Sequence, residues 1–224
     1  MMSDEDALGI QEFYNDIAQE FSEAWYANDS LLPTLRQFLA LLPPSPHVLD
    51  LGCGAGYESM RLNKLGAKVT GVDISDEAIK IARQKNPNIR FEIQDFRKLS
   101  YDLGRFDGVA AIASLIHVDE SELPDVLSGI KRVLNDNGYV MIMVVEGQGL
   151  SPERSFIEHG GKQYSRYFYL HDRNSISAAA YKAGLAFCEE LELPNEHQEY
   201  GWKCFIFKMR DHDGRKNHAA EKMD

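Results

Sequence analysis

A doubly wound α/β sheet is the fold class this sequence predicts, and three observations predict it. Residues 47–56, His-Val-Leu-Asp-Leu-Gly-Cys-Gly-Ala-Gly, are an apolar run ending in a carboxylate and three alternating glycines. Strand-like and helix-like patterns then alternate as far as residue 145. Two later apolar runs, 187–193 and 202–209, are separated by a polar turn and suit an antiparallel pair at a sheet edge.

The chain opens with Ile10, Phe13, Tyr14, Ile17, Phe21 and Trp25 at helical spacing, which predicts a helix over residues 10–25 with one apolar face to dock. A second helix over 31–42 carries Leu35, Phe38 and Leu39 and is stopped by Pro43, Pro44 and Pro46. The pair precedes the sheet and could cover its open carboxyl edge. Tyr14 would then overhang a ligand there; the alternative is a core aromatic.

Val48, Leu49 and Leu51 form the short apolar run of a parallel strand buried on both faces, with Asp50 near its carboxyl end. Gly52, Gly54 and Gly56 let the backbone turn sharply and a ligand lie against bare peptide groups. The helix over 57–65 points its free N–H groups back at the same place. Strands over 68–73 and 89–94 flank a helix over 77–84, with Gly66 and Asn86-Pro87 closing the intervening helices. A strand over 106–113, a helix over 120–134 and a strand over 139–145 follow. Asp119 and Glu122 suit a capping box at the start of that helix. Right-handed crossovers between parallel strands place a ligand crevice at their carboxyl ends.

Past Glu146 the alternation lapses. Residues 147–162 are glycine-rich and charged and read as an irregular lid-like insertion rather than a strand, within a segment extending to 170. A helix over 173–183 is closed by Gly184 as a left-handed cap. The polar tail, 211–224, has almost nothing to bury and is expected to be disordered. Residues 1–210 thus form one domain, with 1–45 as a helical cap.

Composition narrows the function. At 224 residues and 44% hydrophobic content the chain can bury one sizeable core. A net charge of −11 disfavours nucleic acid as a partner. The acidic N-terminus lacks an apolar leader and no run is long enough to cross a bilayer, so a cytoplasmic protein without membrane attachment is expected. Cys53, Cys188 and Cys204 lack metal-ligand spacing, which predicts free thiols and no metal. Composition does not address oligomeric state.

A glycine-rich strand-to-helix turn holds either a dinucleotide pyrophosphate or S-adenosylmethionine. The dinucleotide fingerprint, Gly-x-Gly-x-x-Gly, fails here: counted from Gly52 its third glycine is Tyr57, and counted from Gly54 it is Ser59. The Asp50-x-Gly52-x-Gly54-x-Gly56 pattern is followed by Val-Thr-Gly-Val-Asp73-Ile74-Ser, by Gln-Asp95-Phe96 and by Phe106-Asp-Gly-Val-Ala-Ala111-Ile-Ala-Ser-Leu-Ile-His117. From Tyr14 to Lys208 the chain resembles the class I S-adenosylmethionine-dependent methyltransferases. That resemblance implies a seven-stranded sheet of order 3-2-1-4-5-7-6 with strand 7 antiparallel.

On this resemblance Asp73 would accept hydrogen bonds from the ribose hydroxyls; otherwise it is a charge at a helix start. Ile74 would face the adenine, Asp95 its exocyclic amine, and the Phe96 N–H a ring nitrogen; otherwise Asp95 is a solvated loop acid. Asp50 would orient the glycine turn, Cys53 included, and help hold the cationic amino end of the cofactor with the carbonyls of Gly52 and Ala111.

Methyl transfer from a sulfonium needs alignment above all, and a base only where the acceptor is protonated. His117 is the nearest titratable candidate, with Tyr14 as a second; a histidine before a helix is otherwise a packing or capping residue. Glu146, Arg166, Tyr167 and Tyr169 would line the acceptor side. Arg166 could clamp an oxyanion or merely pack its stem on Tyr164 or Phe168. No Asn-Pro-Pro-Tyr motif for a base or glutamine amide is present. A small-molecule acceptor, methylated at oxygen or nitrogen, fits the acidic chain without an added recognition domain. A protein or RNA acceptor and a non-catalytic S-adenosylmethionine binder are the alternatives.

Overall fold

Val48, Leu49 and Leu51 are fully buried, and the strand they form lies at the centre of the sheet that organises the chain. The computed structural model describes residues 4–210. Two helices lead in, α1 (Asp4–Tyr26) and α2 (Leu32–Ala40), followed by β1 (His47–Leu51), α3 (Tyr57–Lys64), β2 (Lys68–Asp73), α4 (Asp76–Lys85) and β3 (Arg90–Ile93). Next come β4 (Phe106–Ile112), α5 (Leu123–Val133) and β5 (Leu134–Val145). The insertion contains β6 (Gly149–Leu150), α6 (Pro152–Ser155), β7 (Phe156–His159), β8 (Lys162–Ser165) and β9 (Tyr169–Leu170). The chain then forms α7 (Arg173–Ala183), β10 (Leu185–Leu191), α8 (Asn195–Glu199) and β11 (Trp202–Met209).

The main sheet has the order β3-β2-β1-β4-β5-β11-β10. Strands β1 to β5 pair in parallel, and β11 runs antiparallel to both of its neighbours. This is the expected seven-stranded topology. Alternation along the strands sends side chains to two cores. Leu49, Val109 and Ile142 pack with α5 and α7 on one face, while Val48, Ala110 and Met141 pack with α2 and α3 on the other. Gly184 takes a left-handed φ of 88° and closes α7 as expected.

Two local expectations are corrected. Asp119 and Glu122 do not form a capping box: the Asp119 carboxylate accepts from the Ser121 amide and hydroxyl, and the Glu122 side chain makes no cap bond. Pro124 in the first turn sets the helix start at Leu123. The insertion is not irregular. Residues 156–165 form an antiparallel hairpin turned by Gly160 and Gly161, both with positive φ, as a two-residue Gly-Gly turn favours. The expected tail, 211–224, lies outside the described residues.

The hairpin docks on α1. Phe13 and Tyr164 meet edge to face at 5.3 Å, the Tyr164 hydroxyl donates to Asp16 at 2.6 Å, and Lys162 reaches Glu12 and Asp16. The other end of α1 is fixed by Arg61, whose buried guanidinium donates to the carbonyls of Trp25 and Tyr26 and pairs with Asp29 and Glu58. These carbonyls have no partner within the helix, so the arginine acts as its cap. The Tyr26 hydroxyl then donates to the Ala55 carbonyl at 2.8 Å, tying α1 to the glycine turn.

Candidate active site

A cavity of about 310 Å³ opens where α1 crosses the carboxyl ends of β1, β2 and β4. Gly52, Gly54, Asp73, Ile74, Asp95 and Phe96 form one wall, and Tyr14, His117 and Arg166 form another. Nine of the residues singled out in the sequence therefore meet in one place, drawn from α1, the first three strand ends, the turn after β4 and the insertion.

The first wall is built from bare backbone and carboxylates. Gly52 has a φ of 73°, and a Cβ there would stand 2.5 Å from the Ser114 Cβ. A side chain is excluded on both counts. Asp73 accepts from the Gly54 and Ser75 amides at 2.8 Å each. Burial pushes its carboxyl above the usual range, against the opposing effect of those amides. Asp95 caps the turn after β3 by accepting from the Arg97 amide and also pairs with the Arg97 guanidinium.

The second wall is a directed hydrogen-bond chain. His117 is buried, and its Nδ1 lies 2.9 Å from the carbonyls of both Arg166 and Tyr167. Carbonyls only accept, so Nδ1 carries the proton and Nε2 is the acceptor. The Tyr14 hydroxyl sits 2.9 Å from Nε2 and donates to it, and an Arg166 Nη1–H points at the same phenol oxygen at 3.5 Å. Burial, followed by Arg166, lowers the His117 pKa to about 4, despite the two carbonyls that favour the cation. Burial raises that of Tyr14, with Arg166 opposing. Both groups are neutral at physiological pH.

Seven residues expected at the site lie elsewhere, among them Tyr167, whose ring meets that of Phe156 edge to face. Asp50 points behind the glycine turn and accepts from the Ser59 hydroxyl at 2.6 Å. Cys53 packs with Ile79, Ala82 and Phe91, and burial pushes its thiol well up. Gly56 meets the same layer, since a Cβ there would lie 2.9 Å from Phe91 Cζ. Ala111 is enclosed in the core under α5; the cavity is reached instead by Ile112 and by Ala113, whose φ is 55°. Glu146 is exposed beside Lys203. Tyr169 borders a separate surface groove: the backbone turns at Tyr167, whose φ is 36°, and Arg166 and Phe168 reach the cavity while Tyr169 does not. The packing alternative for Tyr14 is partly realised as well, because its ring meets Phe13 and Phe21 edge to face while its hydroxyl serves the cavity.

Trp25, Tyr57, Arg97, Ser114 and Trp202 also line the cavity and were not anticipated. Trp202 carried a signal. It begins a strand antiparallel to β5 and pairs with Val145, so it lies at the edge where the parallel strands end. Ser114 carried none. Its hydroxyl is buried without a hydrogen-bond partner, and an orphaned donor beside exposed peptide groups and two carboxylates suits the amino-acid and nucleoside ends of S-adenosylmethionine.

Fold and cavity together define an α/β protein with a ligand-sized cavity at the carboxyl edge of its sheet. Residues 48–138 match a methyltransferase domain family. A ubiquinone biosynthesis O-methyltransferase of Coxiella burnetii is 42% identical over 80 residues, 34% of each chain. The alignment thus spans about a third of the length of this curated relative. Among solved structures, the CcbJ methyltransferase of Streptomyces caelestis superposes with a TM-score of 0.70 at 18% identity, over 88% of this chain and 98% of that one. A Burkholderia thailandensis 1,6-didemethyltoxoflavin-N1-methyltransferase with bound 1,6-didemethyltoxoflavin and S-adenosylhomocysteine gives 0.69 at 19% identity over 92% and 90%. Residues 48–138 are thus a methyltransferase domain, and the sheet that carries them has the doubly wound, Rossmann-like order. Among the described residues no helix is long and apolar enough to cross a membrane.

Proposed function

We propose that this protein transfers the methyl group of S-adenosylmethionine to oxygen or nitrogen of a small-molecule acceptor. One observation carries the reading: the cavity joins a wall of glycine backbone and carboxylates to a wall formed by a neutral histidine, a tyrosine and an arginine. At about 310 Å³ it is at the low end of ligand cavities, and α1 covers it, which favours a small acceptor over a macromolecule.

Bound S-adenosylmethionine supplies an electrophilic methyl on a sulfonium whose leaving group is neutral. In this reading Asp73 holds the ribose hydroxyls, Ile74, Asp95 and Phe96 hold the adenine, and Gly52 with Ser114 faces the amino-acid end. Tyr14, His117 and Arg166 orient the acceptor, while α1 and the hairpin exclude water. Orientation of this kind is worth roughly 7–11 kcal/mol of barrier. His117 Nε2 can take a proton from an acceptor hydroxyl or amine. The test is a product assay for S-adenosylhomocysteine over a metabolite panel. Turnover with a small acceptor supports the reading; turnover confined to protein or RNA, or binding without any turnover, overturns it.

A further inference from the structure

We propose that the acceptor is a small hydroxylated carboxylate, its anionic group on Arg166 and its hydroxyl on His117 Nε2, and that its charge is what makes His117 an effective base. The inference rests on the methyl-transfer reading above and assigns its substrate class.

Arg166 is a cation with an unused edge. Its Nε donates to the Arg154 carbonyl and one Nη to Tyr14, and its plane lies near the rings of Phe13 and Phe168, 5.0 and 5.4 Å from their centres. Among the described residues no carboxylate pairs with it, and its second Nη makes no hydrogen bond. A guanidinium held near two rings at a cavity wall, with one Nη unpaired, is arranged for a planar oxyanion. Around it the wall is apolar, with Ile10, Ile17, Phe168 and Trp202, so the ligand's body is hydrocarbon.

The neighbouring hydrogen-bond chain sets where the hydroxyl goes. Because the two carbonyls fix the proton on Nδ1, Nε2 must receive its hydrogen bond from outside the ring, and Tyr14 supplies it here. An acceptor hydroxyl that takes the place of the Tyr14 donor is aligned to lose its proton to that nitrogen. In the step an O–C bond forms to the methyl, the C–S bond breaks with its electron pair kept by sulfur, and the acceptor proton passes to Nε2. The imidazolium so formed would stand beside Arg166, two cations in a buried place. Tyr14 from α1 and Arg166 from the insertion are the titratable and charged groups facing His117. Neither compensates a positive imidazole, and burial already holds it neutral. A carboxylate on Arg166 cancels the opposing charge and restores basicity. A neutral acceptor of the same shape gains neither the clamp nor the base.

Trp25 and Trp202 both line the cavity, so intrinsic fluorescence reports ligand entry. With S-adenosylhomocysteine saturating, benzoate and 4-hydroxyphenylacetate are titrated against benzamide and 4-hydroxyphenylacetamide, which are nearly isosteric and neutral. Each acid is expected to bind about tenfold or more tightly than its amide. Arg166→Met should erase the preference, and Arg166→Lys should keep part of it. In a magnetic resonance titration, 4-hydroxyphenylacetate should move the His117 midpoint upward, towards its ordinary range, in the wild type and not in Arg166→Met. S-adenosylhomocysteine affinity of the variants should stay within about threefold of wild type, which shows the fold intact. Equal binding of acids and amides, or a preference that survives Arg166→Met, overturns the proposal. Failure of the wild type to bind S-adenosylhomocysteine overturns instead the reading on which it rests.

Discussion

Asp73 and Gly54 meet through a 2.8 Å hydrogen bond from the glycine amide to the carboxylate, whose other oxygen accepts from Ser75. One side chain thus holds the glycine turn and the start of α4 in register at the cavity. Asp73→Asn keeps the shape and loses the charge. It is expected to weaken S-adenosylhomocysteine binding by about 1.5–3 kcal/mol, roughly 10- to 150-fold, with a modest loss of melting temperature. Calorimetry that finds unchanged affinity would leave Asp73 as loop support alone.

S-adenosylmethionine or S-adenosylhomocysteine should raise the melting temperature and NAD should not. A ligand at about one hundred times its dissociation constant stabilises the native state by about 2.7 kcal/mol. The glycine turn lacks the third glycine of a pyrophosphate site, since Tyr57 and Ser59 stand there. Equal stabilisation by NAD in a thermal-shift assay contradicts the nucleoside assignment.

Asp50 ties stability to pH. Burial raises its carboxyl to about 7, outweighing the Ser59 hydroxyl that donates to it. The folded chain therefore keeps a proton that the unfolded chain has lost above its ordinary pKa near 4. Stability rises with pH only where the unfolded chain binds more protons, so this contribution is full below about pH 4 and is lost as pH rises to 7. Glu58, also raised to about 7 by burial, acts in the same sense. Asp50→Asn should flatten the fall in unfolding free energy of the unliganded protein from pH 4 to 7, by an amount on the order of 1–4 kcal/mol, read from denaturant melts at each pH. Identical slopes for the two proteins would refute it.

The hairpin and α1 are proposed to close together on the cofactor. Their contacts are partly exposed and ionic, with Lys162 held between Glu12 and Asp16, so they can open without breaking the core. Hydrogen exchange should slow on adding S-adenosylhomocysteine both in residues 10–25 and in 147–169. Lys162→Ala should raise exchange in 156–165 with little change in melting temperature. Protection limited to the glycine turn, Asp73 and Asp95 removes the lid.

The sheet was legible because its signals are local. Val48 to Leu51 announce a buried parallel strand, Gly184 announces a helix end, and β2 and β11 fall on their expected residues. The hairpin at 156–165 was missed although Gly160-Gly161 between two alternating runs is its signature. Charge and glycine content suggested a loop, and the turn pair outweighed both. The site was legible where a motif carries it, as at Gly52, Asp73 and Asp95. Arg61 illustrates the remainder. Its spacing marks a helix surface, and only the fold shows it enclosed beneath the end of α1. Whether a tyrosine such as Tyr169 faces in or out depends on the left-handed turn at Tyr167 within the insertion, which no local pattern sets.

The matched methyltransferase segment ends at residue 138 and begins at 48, whereas Tyr14 and Arg166 lie outside it on either side. The cavity is consequently built from two sources: its floor lies in the matched segment, and its roof, Tyr14 and Arg166 included, lies outside it. Grafting the roof, residues 4–26 and 147–170, onto a relative's floor should carry the acceptor preference with it and leave the affinity for S-adenosylhomocysteine with the recipient.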